Sequence, residues 1–227
     1  MKCIIPIAGP DYFKNNFCKG LLEFKNDFFL RKILYSRPWI KEVDELIFIM
    51  QDIELARDFE KNYLKNWFEN SKVIFLSSFT RGAAFSSLAG VCLAYDNFDV
   101  PIILDLADIY FETDFVPYQN KDRFGYVFYF LNENPIYSYL KVNAEEKIIK
   151  TREKKVISNR ASAGVYCFPS SSTFIKSIIY SIENKEDLTF NNLHYVCPLI
   201  NYLIKAGIKT IPIKVSEVFD LKNPLQT

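Results

Sequence analysis

Cys3-Ile4-Ile5-Pro6-Ile7-Ala8-Gly9-Pro10 opens the chain with an unbroken apolar run that ends in a turn. A run of this length, apolar at successive positions rather than at alternate ones, reads as a strand buried on both faces, Cys3–Ile7, delivered straight into the turn Ala8-Gly9-Pro10. The run is too short for a signal peptide. Pro6 and Pro10 within it disfavour the helical core of such a peptide, and Asp11 and Lys14 follow at once.

The same rhythm repeats downstream. Phe28–Tyr35 reads as a helix ended near Pro38, Leu46–Met50 as a strand, and Asp52–Phe68 as a helix with Leu55, Phe59 and Tyr63, or Ala56, Phe59, Tyr63 and Trp67, on one side. Lys72–Leu76 is the next strand. Ala83–Ala94, rich in small residues, reads as a helix packed closely on a sheet, and Pro101–Leu106 as a strand apolar except for Asp105. Alternating strands and helices predict an α/β fold, a mostly parallel central sheet flanked by helices. In such sheets the ligand site lies beyond the C-terminal ends of the strands, which selects three loops: Ala8–Lys19, Ser77–Gly82 and Asp105–Phe111.

The second half has short β segments at Tyr126–Leu131, Tyr137–Val142, Ile148–Thr151, Ala161–Phe168 and Thr210–Val215, with helical patterns at Phe174–Ile182 and Tyr195–Ala206. It is predicted to be a smaller antiparallel addition to the same domain. The expected division is one domain over 1–227, with halves at 1–115 and 116–227.

Bulk composition narrows the function. The 227 residues are 49% hydrophobic and 24% charged, enough for a substantial core, and the formal net charge of +1 gives no basic surface for nucleic acid. No apolar run approaches the ~20 residues that span a bilayer. The five cysteines, Cys3, Cys18, Cys92, Cys167 and Cys197, are odd in number and lack a CxxC spacing, which argues against a disulfide framework or a zinc site and points to the cytoplasm. His194 is the single histidine and reads as structural.

Four constellations carry polar chemistry. Ala8-Gly9 after the first strand, with Lys19 a loop later, fits either a phosphate cradle or an ordinary strand-ending turn beside a surface lysine. Asp105-Leu106-Ala107-Asp108 closes a buried strand with two carboxylates, which meet a hard cation or, for one of them, cap the following turn. Glu153-Lys154-Lys155 precedes Ala161-Ser162-Ala163-Gly164-Val165-Tyr166, and read alone is a solvated charge run. Asp220 lies near the C-terminus.

In order and spacing these segments resemble the sugar-nucleotide nucleotidyltransferase family, over nearly the whole chain. Ala8 and Gly9 match the nucleotide-contacting turn of that family's AAGxGxR, and Lys19 in Cys18-Lys19-Gly20-Leu21-Leu22 matches its phosphate-holding lysine. Asp11 stands at the second glycine and Phe13 at the arginine, with Lys14 next door. Thr80-Arg81-Gly82-Ala83-Ala84 is similar to the segment that contacts the base. Pro101 to Asp108 places Asp108 on the metal-binding aspartate, with Asp105 extra.

Glu153-Lys154-Lys155 is similar to the family's EKP, whose lysine holds the acceptor phosphate, and Gly164-Val165-Tyr166-Cys167-Phe168 to the strand whose glycine lies against the acceptor. Asp220-Leu221-Lys222-Asn223-Pro224 retains the aspartate and proline of the D-x-G-T-P that supplies a second metal ligand. The segments Tyr137-Ser138-Tyr139-Leu140 and Val156-Ile157-Ser158, with Asp105, resemble members associated with bacterial capsule or surface-glycan genes.

The resemblance implies a Rossmann-like fold and Mg²⁺-dependent transfer of a nucleotide from a nucleoside triphosphate to a phosphorylated sugar or other small phospho-metabolite. It implies catalytic Lys19, Asp108 and Lys154, nucleotide contacts at Ala8, Gly9 and Gly82, acceptor contacts at Glu153, Lys154 and Gly164, and Mg²⁺ on Asp108 and Asp220. A homo-oligomer is left open; nucleic acid and membrane are not expected partners. Two alternatives stand beside it: a non-catalytic nucleotide-binding homologue, and a glycosyltransferase using a nucleotide-sugar donor, whose usual Asp-x-Asp pair the Asp105–Asp108 spacing fits less well.

Overall fold

Strands that are apolar on both faces must be covered on both, and this requirement builds the first half. The computed structural model describes residues 1–94 and 96–220. Strands β1 (Lys2–Pro6), β2 (Glu45–Gln51), β3 (Ser71–Leu76) and β4 (Ile102–Asp105) pair in parallel in the order β3-β2-β1-β4, with Ile4 opposite Ile47 on one side and Leu104 on the other. Cys3, Ile5, Phe48 and Met50 point into one hydrophobic cluster. Ile4, Ile47 and Ile49 point into another on the opposite face.

Helices α1 (Phe29–Tyr35) and α2 (Glu54–Phe59) cover the first face, α2 widening into a π turn at Glu60–Leu64 before a final turn to Trp67. Helix α3 (Ala83–Ala94) covers the second, and its small residues let it approach closely. A methyl group on Gly90 would stand 2.8 Å from Cδ1 of Ile49. These elements match the sequence expectation, and the fold class is α/β as predicted.

Beyond β4 the chain forms β5 (Ile109–Glu112), β6 (Gly125–Leu131), the hairpin β7 (Tyr139–Val142) and β8 (Ile148–Arg152), β9 (Arg160–Phe168), β10 (Thr210–Lys214) and β11 (Ser216–Asp220). The long strand β9 runs antiparallel between β4 and β6, and β6 pairs in parallel with β10, so the two halves share one nine-stranded sheet. The β7–β8 hairpin joins this sheet through Tyr139 opposite Ala161, which is the predicted antiparallel addition. Helix α4 (Ser171–Glu183) starts at Ser170, whose hydroxyl accepts the Thr173 amide at 3.0 Å, an N-cap of the usual type.

Some features depart from the sequence reading. The helix predicted from Tyr195 begins later: a short 3₁₀ turn at Cys197–Leu199 leads into α5 (Ile200–Lys205), because Pro198 suits a first turn and leaves Tyr195 outside the helix. Strands β5 and β11, which no local pattern announced, pair antiparallel with Asp220 opposite Ile109. Residues 221–224 of the C-terminal resemblance lie outside the described residues.

Candidate active site

The loops at the C-terminal ends of β1 and β4, together with the segments after β8 and at the start of β9, enclose a cleft of about 290 Å³. Gly9, Asp11, Tyr12 and Lys19 line it from the first loop, Leu106 and Asp108 from the end of β4, Glu153 and Lys154 from the end of β8, and Ser162 and Gly164 from β9. Ala83 at the N-terminus of α3, Tyr137, Ser138 and Tyr195 add to the wall.

The first loop doubles back on itself. Tyr12 N–H donates to the Gly9 carbonyl at 3.1 Å. A two-residue turn at Asn15-Asn16, with φ of 52° and 59°, then reverses the chain between Phe13–Lys14 and Phe17–Cys18. Lys19 N–H donates to the Tyr12 carbonyl at 2.9 Å, which returns Lys19 to the Gly9 turn. A Cβ on Gly9 would meet nothing within 4 Å, so its face is open to a ligand. Ala8 is buried behind it, its carbonyl accepting from Gln51 Nε2 at 3.3 Å, and does not line the cleft. Lys14 is exposed beside Asp11 at 3.5 Å and is likewise outside the wall.

The turn after β4 resolves the two carboxylates. Asp105 is fully buried. One oxygen accepts the Ala107 amide at 2.9 Å, and the other pairs with Arg37 Nε at 2.9 Å. It caps the turn, the alternative left open by the sequence. Asp108, three residues on, faces the cleft, and a Cβ on Gly164 would stand 3.1 Å from its Oδ1. Gly164 has φ of +80°, and its carbonyl accepts the Leu106 amide at 3.0 Å, so the β9 backbone clasps the turn that carries Asp108.

On the second-half side, the Ser138 hydroxyl donates to Glu153 Oε2. Lys154, itself at φ of +47°, holds its ammonium 5.2 Å from the Phe190 ring centre and 5.5 Å from that of Tyr195. Ser162 accepts from the Gly164 amide and donates to the Tyr166 hydroxyl.

Asp220 does not line this cleft. It borders a neighbouring cavity formed by the end of β6 and by β11, and Tyr137 lies on the wall of both. The Tyr137 phenol is pushed up, first by burial and then by Asp220, which accepts its hydrogen bond, with Asp108 adding to the effect. The β5–β11 pairing sets Asp220 opposite Ile109, the residue after Asp108, and both carboxylates push the same phenol's pKa up.

Gly82 stands at the foot of α3 but not on the cleft wall. At φ of +106°, its missing Cβ gives room to the His194 carbonyl, 2.3 Å from where that Cβ would be. His194 N–H donates to the Arg81 carbonyl at 2.9 Å and its Nδ1 meets the Ser181 hydroxyl at 2.8 Å, so His194 is structural, as its sequence context indicated. The strand-end rule and the family pattern had found Gly9, Lys19, Asp108, Glu153, Lys154 and Gly164. The strand-end rule selects the loop that holds Tyr12 but not Tyr12 itself, and nothing gave a wall position to Tyr137, Ser138 or Tyr195, whose aromatic or hydroxyl character carries no positional signal.

No protein-family model matches the chain, and no curated protein matches it by sequence. Solved structures do. A nucleoside-diphosphate-sugar pyrophosphorylase from Vibrio cholerae RC9 superposes with a TM-score of 0.81 at 19% identity, covering 97% of this chain and 95% of its own. A UDP-glucose pyrophosphorylase complexed with UDP-glucose gives 0.70 at 15% identity, covering 96% and 92%. The inositol-1-phosphate CTP transferase from T. maritima gives 0.65 at 12% identity, covering 96% and 86%. At these identities the likeness establishes a shared fold over nearly the full length of each chain.

Proposed function

We propose that the protein transfers a nucleoside monophosphate from a nucleoside triphosphate to a phosphorylated sugar or other small phospho-metabolite, releasing pyrophosphate. One observation carries the reading: a single cleft gathers Gly9, Lys19, Asp108, Lys154 and Gly164 from separate loops. The solved structures of similar fold include enzymes described as acting on nucleotide sugars and on a sugar-alcohol phosphate, which supports the same reaction class.

In this reading a phosphate oxygen of the acceptor attacks the α-phosphorus in line. The bond to the bridging oxygen of the β-phosphate breaks, and pyrophosphate leaves. The nucleophile is already anionic, so no strong base is required; repulsion between two polyanions is the main barrier, and the protein's task is charge and alignment. Lys19 balances charge on the triphosphate. Gly9 lets the backbone approach the nucleotide, while Ala8 and Gly82 shape that wall from behind. Lys154, braced over Phe190 and Tyr195, holds the acceptor phosphate, and Glu153 and Gly164 border the rest of the acceptor.

Asp108, with Asp220 across Tyr137, would hold Mg²⁺. Carboxylate oxygens are donors that suit Mg²⁺, which completes its shell with phosphate and water. Bound there, Mg²⁺ supplies Lewis-acid stabilisation of charge on the α-phosphate.

The glycosyltransferase alternative is weakened by Asp105, which is engaged by Arg37 rather than paired with Asp108 at the cleft. We further propose that the product is a precursor of a bacterial surface glycan made in the cytoplasm. The sequence resemblance supports the first part, and the unpaired pattern of cysteines in the sequence supports the second. The reaction class is tested by pyrophosphate release with Mg²⁺, each common nucleoside triphosphate and a panel of phosphomonoesters. A signal specific to one pair is expected. Nucleotide binding with no release from any pair would favour the non-catalytic homologue.

A further inference from the structure

Arg37 lies outside the cleft, yet its guanidinium binds the chain on both sides of Asp108. Nε pairs with Asp105 Oδ2 at 2.9 Å, three residues before. Nη2 donates to the Ile109 carbonyl at 2.7 Å and Nη1 to the Phe111 carbonyl at 3.2 Å, one and three residues after. The planar group also lies over the Phe111 ring, 3.5 Å from its centre. Asp105 uses its second oxygen to accept the Ala107 amide, fixing a residue with φ of +50° that turns the chain toward Asp108.

The arrangement is costly unless it does something local. Both side chains are buried, at 0% and 1% exposure, and buried ion pairs seldom add net stability because both charges lose their water. The pair is worth keeping for direction. Arg presents donors in a rigid planar fork, and here three directions of that fork are taken by three points flanking one residue.

We propose that Arg37 and Asp105 are positioning residues that fix the Leu106–Ile109 turn and thereby set the Asp108 carboxylate in the cleft. The proposal rests on the nucleotidyl-transfer reading for its kinetic consequence but not for its structural one. Arg37→Lys retains the charge opposite Asp105 but offers a point charge in place of the fork; Asp105→Asn retains a side-chain acceptor for the Ala107 amide but removes the counter-charge.

Each variant is compared with the wild type in three measurements: thermal melting, amide hydrogen exchange of residues 106–110 without nucleotide, and steady-state pyrophosphate release. Arg37→Lys is expected to melt cooperatively and to exchange these amides at least about tenfold faster than the wild type. Its kcat should fall by about 100-fold, as expected for a misplacement near 1 Å, with KM for the triphosphate changed less than about threefold. Asp105→Asn should show the same split.

If Arg37→Lys restores wild-type exchange and turnover, charge balance alone is the role and the proposal is overturned. Should Asp105→Asn fail to fold at the assay temperature, Arg37→Lys decides the question by itself. If the wild type turns over no substrate pair, the reaction reading fails, while exchange still decides: faster exchange at residues 106–110 supports the positioning role and unchanged exchange overturns it.

Discussion

Gly164 leaves room for Asp108: a methyl group added to Gly164 would come within 3.1 Å of the Asp108 Oδ1, and the backbone there is at φ of +80°. Gly164→Ala therefore meets two penalties, a left-handed conformation costing roughly 1–2 kcal/mol and crowding of the carboxylate. The expected result is a melting temperature lower by roughly 2–8 °C. Activity should fall further than that loss explains, read as turnover at a temperature where the variant is fully folded. Wild-type turnover would mean that Asp108 has room to move without consequence.

Asp108→Asn removes a charge at a part-exposed turn while its neighbours keep their bonds to Asp105 and Gly164. Pyrophosphate release is expected to drop by about 10²–10³-fold. The melting temperature should stay within about 2 °C of the wild type, as for most near-isosteric substitutions of part-exposed residues. Removing divalent cations with a chelator should abolish wild-type turnover and leave the melting curve unchanged. A cation-independent rate would sink the metal assignment.

His194 gives a pH dependence of known sign. Burial, and then the nearby Arg81, lowers its pKa below the ordinary 6.5. The unfolded chain thus binds the proton more readily than the folded one. The histidine's contribution is complete above the unfolded value and is lost as pH falls through 6.5 toward the folded value. Melting temperature should decline from pH 7.5 to 5.5, a range that avoids most carboxylate titration. His194→Gln should flatten that slope; an unchanged slope would assign it to other groups.

The thiols are expected to split one against four. Cys92 is exposed, while Cys3, Cys18, Cys167 and Cys197 are buried. Burial pushes the thiol of each buried cysteine up, that of Cys18 to about 11. A chromogenic disulfide reagent at pH 8 should label one cysteine rapidly in the native protein and all five in denaturant. Rapid labelling of two or more in the native state would contradict the packing of the core.

What the sequence could reveal follows from the range of the interactions involved. Cys3–Ile7 and Ala83–Ala94 were readable because burial on both faces and close helix–sheet packing leave local signatures, unbroken apolar runs and small residues. Charge at the end of an apolar strand marks the Asp105–Asp108 turn as needing a reason, and the family resemblance selects Asp108 within it.

Arg37 was not. In Tyr35-Ser36-Arg37-Pro38 it looks like a helix stop, and its partner Asp105 is 68 residues away. The pairing of β5 with β11 is similarly non-local and leaves no periodic trace. Other misses had a local signal. Asn15-Asn16, Lys25-Asn26 and Asn191-Asn192 each place two residues at positive φ in a tight hairpin, a geometry that asparagine tolerates better than most residues. The first of these hairpins is what returns Lys19 to the cleft.

The most direct test of nucleotidyl transfer follows the phosphates themselves. Nucleoside triphosphates labelled at the α-phosphorus, and separately at the γ-phosphorus, are incubated with the protein, Mg²⁺ and a panel of sugar phosphates and other small phosphomonoesters. The account predicts that for one pair the α label moves onto the acceptor while the γ label leaves in pyrophosphate, and that Asp108→Asn stops both. Release of the γ label as inorganic phosphate, or an α label that never reaches any acceptor although the nucleotide binds, would contradict it.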